Sequence, residues 1–372
     1  MRMLLVSEDL SAPADEGLKK FVSSITTPLR SLVQLEVVST QPAGPVGDGV
    51  TVARANLLMG GRELRDRVRT FRPTHIVYVP RSGGTRNAFI RSWRLGRIYP
   101  AARRTTLILQ SRSFGAAGAF IARMLRPDVL LTQGPSVRRA ISRAGLDALD
   151  IPSGVDTCRF SPASIDQKLE IRRRLGIPAD SPVVLHVGHL AESRNVLLLA
   201  KVRQDLGCEA IVVGSTSTPH NAEVKDLLEA SGVRVFDTYI EEIADIYRAV
   251  DCYLFPVHNS GGAIEMPLSV LEAMACGIPV VSTPFGSLPD WLPPSSGVVY
   301  ADADHALIRE VGVALLAGPE LSERVRSSAL QFSWATIAER LIELAADTKV
   351  EDQPELAAVA SRSTKTDSLR SA

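Results

Sequence analysis

The 372-residue chain is 45% hydrophobic and carries 42 Lys and Arg against 41 Asp and Glu, a formal net charge of +1. Such a balance describes a water-soluble globular protein long enough for two domains and excludes collagen-like or compositionally disordered chains. No run of about 18 apolar residues occurs, which excludes a membrane-spanning helix. The opening MRMLLVSEDL reaches Glu8 and Asp9 too early for a secretory leader.

Taken in chain order, the first half alternates strand and helix patterns. MRMLLVS reads as a strand, GLKKFVSSITTPLRSL as a helix and VQLEVVST as a strand. RELRDRVRTF, NAFIRSWRLGRIY and AGAFIARML are helical, separated by the strand patterns THIVYVP and TTLILQS and followed by DVLLTQ. SVRRAISRAG closes this half as a helix, opened by Pro135-Ser136 and stopped by Gly145. Alternation of this kind builds a parallel sheet with helices on both faces.

IPSGVDTCRFSPAS, at 151–164, reads as a linker, and the pattern then restarts after the helical KLEIRRRLGI. SPVVLHVG, CEAIVVGS, VRVFD, CYLFPV and IPVVST are strands. Helices are predicted around NVLLLAKVRQDLG, HNAEVKDLLEASG, IADIYRAV, PLSVLEAMA, ALIREVGVALLA and TIAERLIELAA. The polar, aperiodic stretch from 348 onward is predicted to be a disordered tail. Four scattered cysteines with no CxxC pair point to free thiols in a reducing cytoplasm.

Charge is unevenly shared. Residues 1–150 hold 23 Lys and Arg against 11 Asp and Glu, and the remainder holds 19 against 30. Residues 51–112 contain 14 Arg with only Glu63 and Asp66 in opposition. Such a body suits an anionic partner or membrane surface, or is simply an Arg-rich solvated face. Nucleic acid fits poorly, because lysines and stacking aromatics are scarce there.

The most informative stretch is EMPLSVLEAMACGIPVV, 265–281. Pro267 suits a helix start and Gly277 the left-handed residue just past its end. The helix between them is apolar nearly all round, yet it holds Glu272. A carboxylate there occupies a single solvated stripe, bonds a neighbouring helix end, or accepts hydrogen bonds from a ligand. The Gly-containing loop NSGGAIE runs from a strand end into the helix, and such turns bind anions. The amides of Leu268, Ser269 and Val270 then suit a diphosphate, with Glu272 one turn further on in reach of a ribose diol.

EMPLSVLEAMACGIPVVSTPFG resembles the signature of family 4 glycosyltransferases, retaining enzymes of the GT-B fold. That signature is a glutamate, seven residues, a second glutamate and Ala-Met-Ala-x-Gly-x-Pro-Val. IPSGVDTCRF is similar to the family's interdomain sequence, and LHVGHLAESRNVLLL to its first C-terminal strand and loop. VRVFDTYIEEIADIYRAVDCYLFP resembles its central stretch and FSWATIAERLIEL its closing helix. The first half matches only in rhythm and at DEGLKKFV.

The resemblance implies an α/β protein of two doubly wound Rossmann-like domains facing a cleft. Residues 1–152 would be the acceptor side, 165–330 the donor side, and 331–347 a helix packing back toward the N-terminal domain. It implies retaining transfer from a nucleoside diphosphate sugar, without metal or other cofactor, to a hydroxyl acceptor such as a lipid-linked or cell-envelope glycan. Glu272 would bind the ribose, Glu265 would be the catalytic residue, approaching the donor sugar or its phosphates, and Ile240 would lie near the base. His189, Arg194 and Gly262 would join Leu268, Ser269 and Val270 around the donor. Gly17 and Arg81 would stand on the acceptor side. The protein would be cytoplasmic, with peripheral contact to anionic membrane.

Three departures bear on activity. Glu265 and Glu272 are separated by six residues, so an in-register match puts Ile264 at the sugar-side position unless the loop shifts by one. His189 stands where the family has Arg, a weaker clamp on a diphosphate because an ordinary imidazole titrates near neutrality. The histidine of the fourth N-terminal strand end is missing around Gln110–Arg112, and His75 starts its strand at the wrong end. A catalytically impaired GT-B protein and a GT-B sugar epimerase are the alternatives. Asp302-Ala303-Asp304 spells a metal-binding DxD but precedes a helix, which predicts a cap. GxGxxG and GxSxG are absent, which argues against a nicotinamide enzyme and an α/β-hydrolase.

Overall fold

A computed structural model describes residues 1–110, 116–216, 221–258 and 263–346. Gly262 and Arg112 lie outside them, as does the predicted tail. The first half forms a seven-stranded parallel sheet of β1 (Arg2–Ser7), β2 (Gln34–Ser39), β3 (Val50–Val52), β4 (His75–Tyr78), β5 (Arg103–Ile108), β6 (Val129–Thr132) and β7 (Leu149–Asp150). Its order is β3-β2-β1-β4-β5-β6-β7. The second half adds β8 (Val183–Gly188), β9 (Glu209–Gly214), β10 (Arg234–Phe236), β11 (Cys252–Phe255), β12 (Val280–Ser282) and β13 (Val298–Tyr300), in the order β10-β9-β8-β11-β12-β13.

Each sheet is doubly wound because its first strand sits in the middle, with later strands added first on one side and then on the other. Leu5 of β1 faces Val37 on one side and Val77 on the other. Val184 of β8 likewise pairs with Ala210 and Cys252. The points where winding reverses are therefore β1/β4 and β8/β11, and a crevice opens beyond the carboxyl ends of such strand pairs. The predicted strands are present. Short edge strands β3, β7 and β13 and the Pro319–Leu330 helix join them without having been predicted.

The chain crosses between halves twice, and the crossings are bonded to each other. Val155 N–H donates to Phe332 O at 2.7 Å, and Trp334 N–H to Val155 O at 3.2 Å. The Trp334–Ala346 helix then lies on the Gly17–Leu32 helix of the first half. Trp334 meets Phe21 edge to face with ring centroids 5.2 Å apart. Ile337, Leu341 and Leu344 extend the same core over Ile25 and Leu29. A Cβ on Gly154 would fall 2.5 Å from the Trp334 ring, so the crossing passes the indole only as glycine.

Trp334→Ala should therefore destabilise the protein by about 3–5 kcal/mol, as for other large-to-small core replacements. The expected result is a lower thermal unfolding midpoint, and a midpoint within experimental error of the wild type would contradict it.

Candidate active site

Between the halves, at the carboxyl ends of β1 and β8, lies a cavity of about 200 Å³. Gly17 lines it from the first half, and His189, Arg194, Ile240, Leu268, Ser269 and Glu272 line it from the second. Val270 does not line the cavity; its side chain is fully buried in the second-half core.

The Leu268–Ala275 helix starts after Pro267, whose extended backbone has no side-chain cap to offer. The first turn thus has no side-chain cap where Pro267, Leu268 and Ser269 line the cavity, and the helix dipole adds positive potential there. Ser269 Oγ accepts from Tyr253 Oη at 2.7 Å, which fixes this turn against β11. At the other end Gly277, at φ 74°, takes the left-handed conformation, and Ile278 N–H returns to Ala273 O at 3.0 Å.

Glu272 is only 3% exposed. Neither a solvated stripe nor a helix end explains it. Tyr247 Oη, on the adjacent Ile243–Ala249 helix, donates to Oε2 at 3.0 Å. Lys20 Nζ, from the opposite half, pairs with Oε1. Burial and then the Glu272 charge push the Tyr247 hydroxyl well above its ordinary pKa, so it remains a donor. Sequence reasoning missed both partners. They lie 25 and 252 positions away, and only the tertiary fold brings them together.

Arg194 ends a short 3₁₀ turn, Glu192–Arg194, and is buried, yet it keeps its charge although burial lowers its pKa somewhat. Asn195 follows in the left-handed conformation at φ 53° and donates to Asp304 Oδ1 at 2.9 Å. Asp304 therefore braces this loop. The expected helix cap is not formed, because Ala303 occupies the N-cap position of the Asp304–Leu315 helix. Among the described residues no three His, Cys, Asp or Glu side chains form a metal-binding group.

Glu265 is not among the residues that line the cavity. Its N–H donates to Leu109 O and its carbonyl accepts from Ser287 N–H, both at 2.9 Å. Met266 N–H reaches Gln133 Oε1 at 3.1 Å, which pins the register from the next residue. The Glu265 carboxylate lies beside Gly286, where a Cβ would come within 3.0 Å of Oε2. Ile264 lines the cavity instead, packed so tightly over Gly17 that a Cβ there would lie 3.2 Å from it. Gln110, at the end of β5, stands on the wall near the position expected of the missing histidine. His75 is the first residue of β4, at the far end of its strand.

Arg81 lies elsewhere, in a polar cluster beyond β1. Its N–H donates to Glu8 Oε2 at 2.9 Å and its half-exposed guanidinium stands 3.9 Å from Asp9. Tyr78 Oη and Arg91 also hold Glu8, at 2.7 and 2.6 Å. Burial opposes ionisation of Asp9, but hydrogen bonds from Ser11 and Ala43 and the Lys19 charge outweigh it, so its pKa is lowered.

The cavity floor holds a group the sequence reading passed over, His186 in the apolar strand VVLHVG. Its Nδ1 donates to Leu254 O at 3.0 Å, across the β8/β11 opening, and its fully buried Nε2 has no partner. A Cβ on Gly188 would lie 2.8 Å from that nitrogen. Burial, helped by the charges of Arg194 and His189, pushes the imidazole down to about 4, so it is neutral at physiological pH.

Comparison with known proteins identifies the second half. Residues 181–316 match the model of the family described as glycosyl transferases group 1. This segment is a glycosyl transferases group 1 domain. The group 1 domain contains Arg194, His186 and Glu272; the first half and the closing helix lie outside it. A D-inositol 3-phosphate glycosyltransferase of Geodermatophilus obscurus is 32% identical over 227 residues, 55% of this chain and 49% of the relative. A GDP-mannose-dependent monoacylated alpha-(1-6)-phosphatidylinositol monomannoside mannosyltransferase of Corynebacterium glutamicum is 26% identical over 214 residues, 51% of this chain and 54% of the relative. The chain thus spans about half the length of the curated relatives it matches. Anabaena HepE in complex with UDP superposes with a TM-score of 0.71 at 18% identity, covering 92% of this chain and 99% of HepE. A Rickettsia africae glycosyltransferase gives 0.75 at 13% identity, covering 94% and 99%. Around the group 1 domain the whole chain adopts the GT-B fold.

Because the unfolded chain takes up the His186 proton near pH 6.5 and the folded chain only near 4, stability should fall as pH drops through that window. His186→Asn keeps a donor for Leu254 O but cannot be protonated. Its unfolding midpoint should decline less between pH 7 and about 4 than that of the wild type; parallel declines would remove His186 from this account.

Proposed function

We propose that this protein transfers a sugar, with retention of configuration and without a metal ion, from a nucleoside diphosphate sugar to a hydroxyl acceptor. One observation carries the reading. An uncapped helix start, a buried Arg194 and a buried Glu272 one turn further on share one cavity wall. Helix amides and a guanidinium suit a diphosphate, and a carboxylate suits a vicinal diol. The diphosphate would lie on the amides of Leu268, Ser269 and Val270, the ribose on Glu272 and the base near Ile240.

The acceptor oxygen would attack the anomeric carbon on the face from which the diphosphate departs. The leaving diphosphate oxygen takes the acceptor's proton, so no protein base is required. Charge developing on the leaving group is met by preorganised amides and Arg194, in a site sheltered from water. In this reading Glu265 stays outside the reaction, and the sugar meets Ile264, Gly17 and Gln110. That apolar wall favours a second reading, a protein that binds nucleotide sugar without transferring it.

Glu272→Ala should weaken nucleoside diphosphate binding by about 2–3 kcal/mol, the loss of two hydrogen bonds to a charged group. Calorimetry with UDP and GDP tests this, and unchanged affinity for both would refute the assignment. Incubation with UDP- and GDP-sugars then separates the readings: sugar release or transfer supports the enzyme, binding alone the second.

The acceptor side is proposed to meet an anionic, lipid-linked or cell-envelope glycan at the cytoplasmic face of a membrane. Residues 67–127 hold 13 Arg and no Asp or Glu. Trp93, Phe120 and Met124 are 40%, 60% and 69% exposed on the same half. Among the described residues no helix is long and apolar enough to cross a membrane, so contact would be peripheral, through basic and apolar side chains together. Vesicles with anionic lipid should sediment the protein at low salt and release it at high salt; equal partitioning to neutral vesicles would contradict this.

A further inference from the structure

Two successive lysines of the Gly17–Leu32 helix point to different halves. Lys19 is buried within the first half, 3.3 Å from Asp9 and donating to Ser11 Oγ at 2.9 Å. Lys20 reaches across the cleft to Glu272, its ammonium 5.6 Å from the centre of the Phe160 ring. Both oxygens of Glu272 are therefore engaged, Oε2 by Tyr247 and Oε1 by Lys20. Each oxygen could accept a further bond, but Glu272 is only 3% exposed, so a ribose diol reaches it only by moving a group that covers it. Tyr247 is fully buried in its own helix, whereas the Lys20 side chain is 28% exposed on a flexible stem. Lys20 is the partner that yields.

The released ammonium is drawn to a new counter-charge inside the cleft, where attraction is less screened than at the surface. Of the acids on the cavity wall, Asp15 already accepts from the amide and hydroxyl of Thr216 at 2.6 Å each. Glu16 and the incoming diphosphate remain. The amides of Leu268–Val270 begin one helical turn, about 6 Å, from Glu272, within reach of a lysine changing rotamer. A diphosphate carries more charge than Glu16 and lies inside the cleft, where the attraction is less screened.

We infer that Lys20 is a diphosphate-binding residue, released from Glu272 by the ribose and handed to the leaving group. The inference rests on the nucleotide reading above. Lys20 belongs to the first half, so its charge reaches the leaving group only while both halves are closed on the donor. It supplies a second full cation beside Arg194, where His189 offers only an imidazole.

The test is a ladder of ligands: uridine, UMP and UDP, and the guanosine series, titrated into wild type, Lys20→Met, Lys20→Arg and Glu272→Ala. Lys20→Met should bind the nucleoside at least as tightly as wild type, because the competing ion pair is gone. It should bind the diphosphate about tenfold or more weakly, and Lys20→Arg should restore most of that loss. Diphosphate binding that is equal or tighter in Lys20→Met would overturn the inference and leave Lys20 as a latch on the empty cleft. A separate outcome, no nucleotide binding by wild type or no effect of Glu272→Ala, refutes the nucleotide reading itself. An amine-reactive label followed by mass spectrometry needs no variant. The nucleoside should raise labelling of Lys20 above that of the empty protein and the diphosphate should lower it; a rise with both ligands would again overturn the assignment.

Discussion

Glu272 places a formal negative charge inside a helix whose other side chains are almost all in the core. Low-dielectric surroundings penalise such a charge by several kcal/mol, roughly, unless polar partners replace water. Here one partner comes from the same half, the Tyr247 hydroxyl, and the other from the opposite half, the Lys20 ammonium. The arrangement of the two halves therefore depends on satisfying this one carboxylate. Neighbouring contacts reinforce it: Ile264 against Gly17, Asp15 on Thr216, and the Glu265 amide on Leu109 O.

Both sheets put an ionisable group in or just beyond their central strand, where the winding reverses. β1 runs into Glu8 and Asp9, which are held by Tyr78, Arg91, Lys19 and neighbouring amides. β8 carries His186, which bonds across to Leu254 O. The same topology thus gives one half a cluster of carboxylates and cations and the other a neutral imidazole under a cationic loop.

Much of the fold is legible in sequence because a parallel sheet covered on both faces leaves long apolar runs, such as MLLV, HIVYV and AIVV. The edge strands β3, β7 and β13 are two or three residues long, too short for any period to register, and lie where pairing is one-sided. Within the site, Glu272 stands out because a charge in a greasy helix contradicts the local pattern. Tyr247 and Lys20 do not, since each sits in an ordinary amphipathic helix and gains its role only from packing. Spacing alone also left two ways to place Glu265. Main-chain bonds at 265, 266 and 287 accompany one of these placements, with the carboxylate beside Gly286 and Ile264 on the cavity wall.

The paired crossings at 155 and 332–334 limit how the molecule can be divided. Because the final helix clasps the first one, Leu18, Phe21, Ile25 and Leu29 owe their shelter to residues more than 300 positions downstream. A fragment ending at the linker would expose that greasy flank, and a fragment beginning there would carry a helix with nothing to embrace. Neither sheet is thus a self-sufficient module, and the smallest cooperative unit runs from the first strand to the last helix.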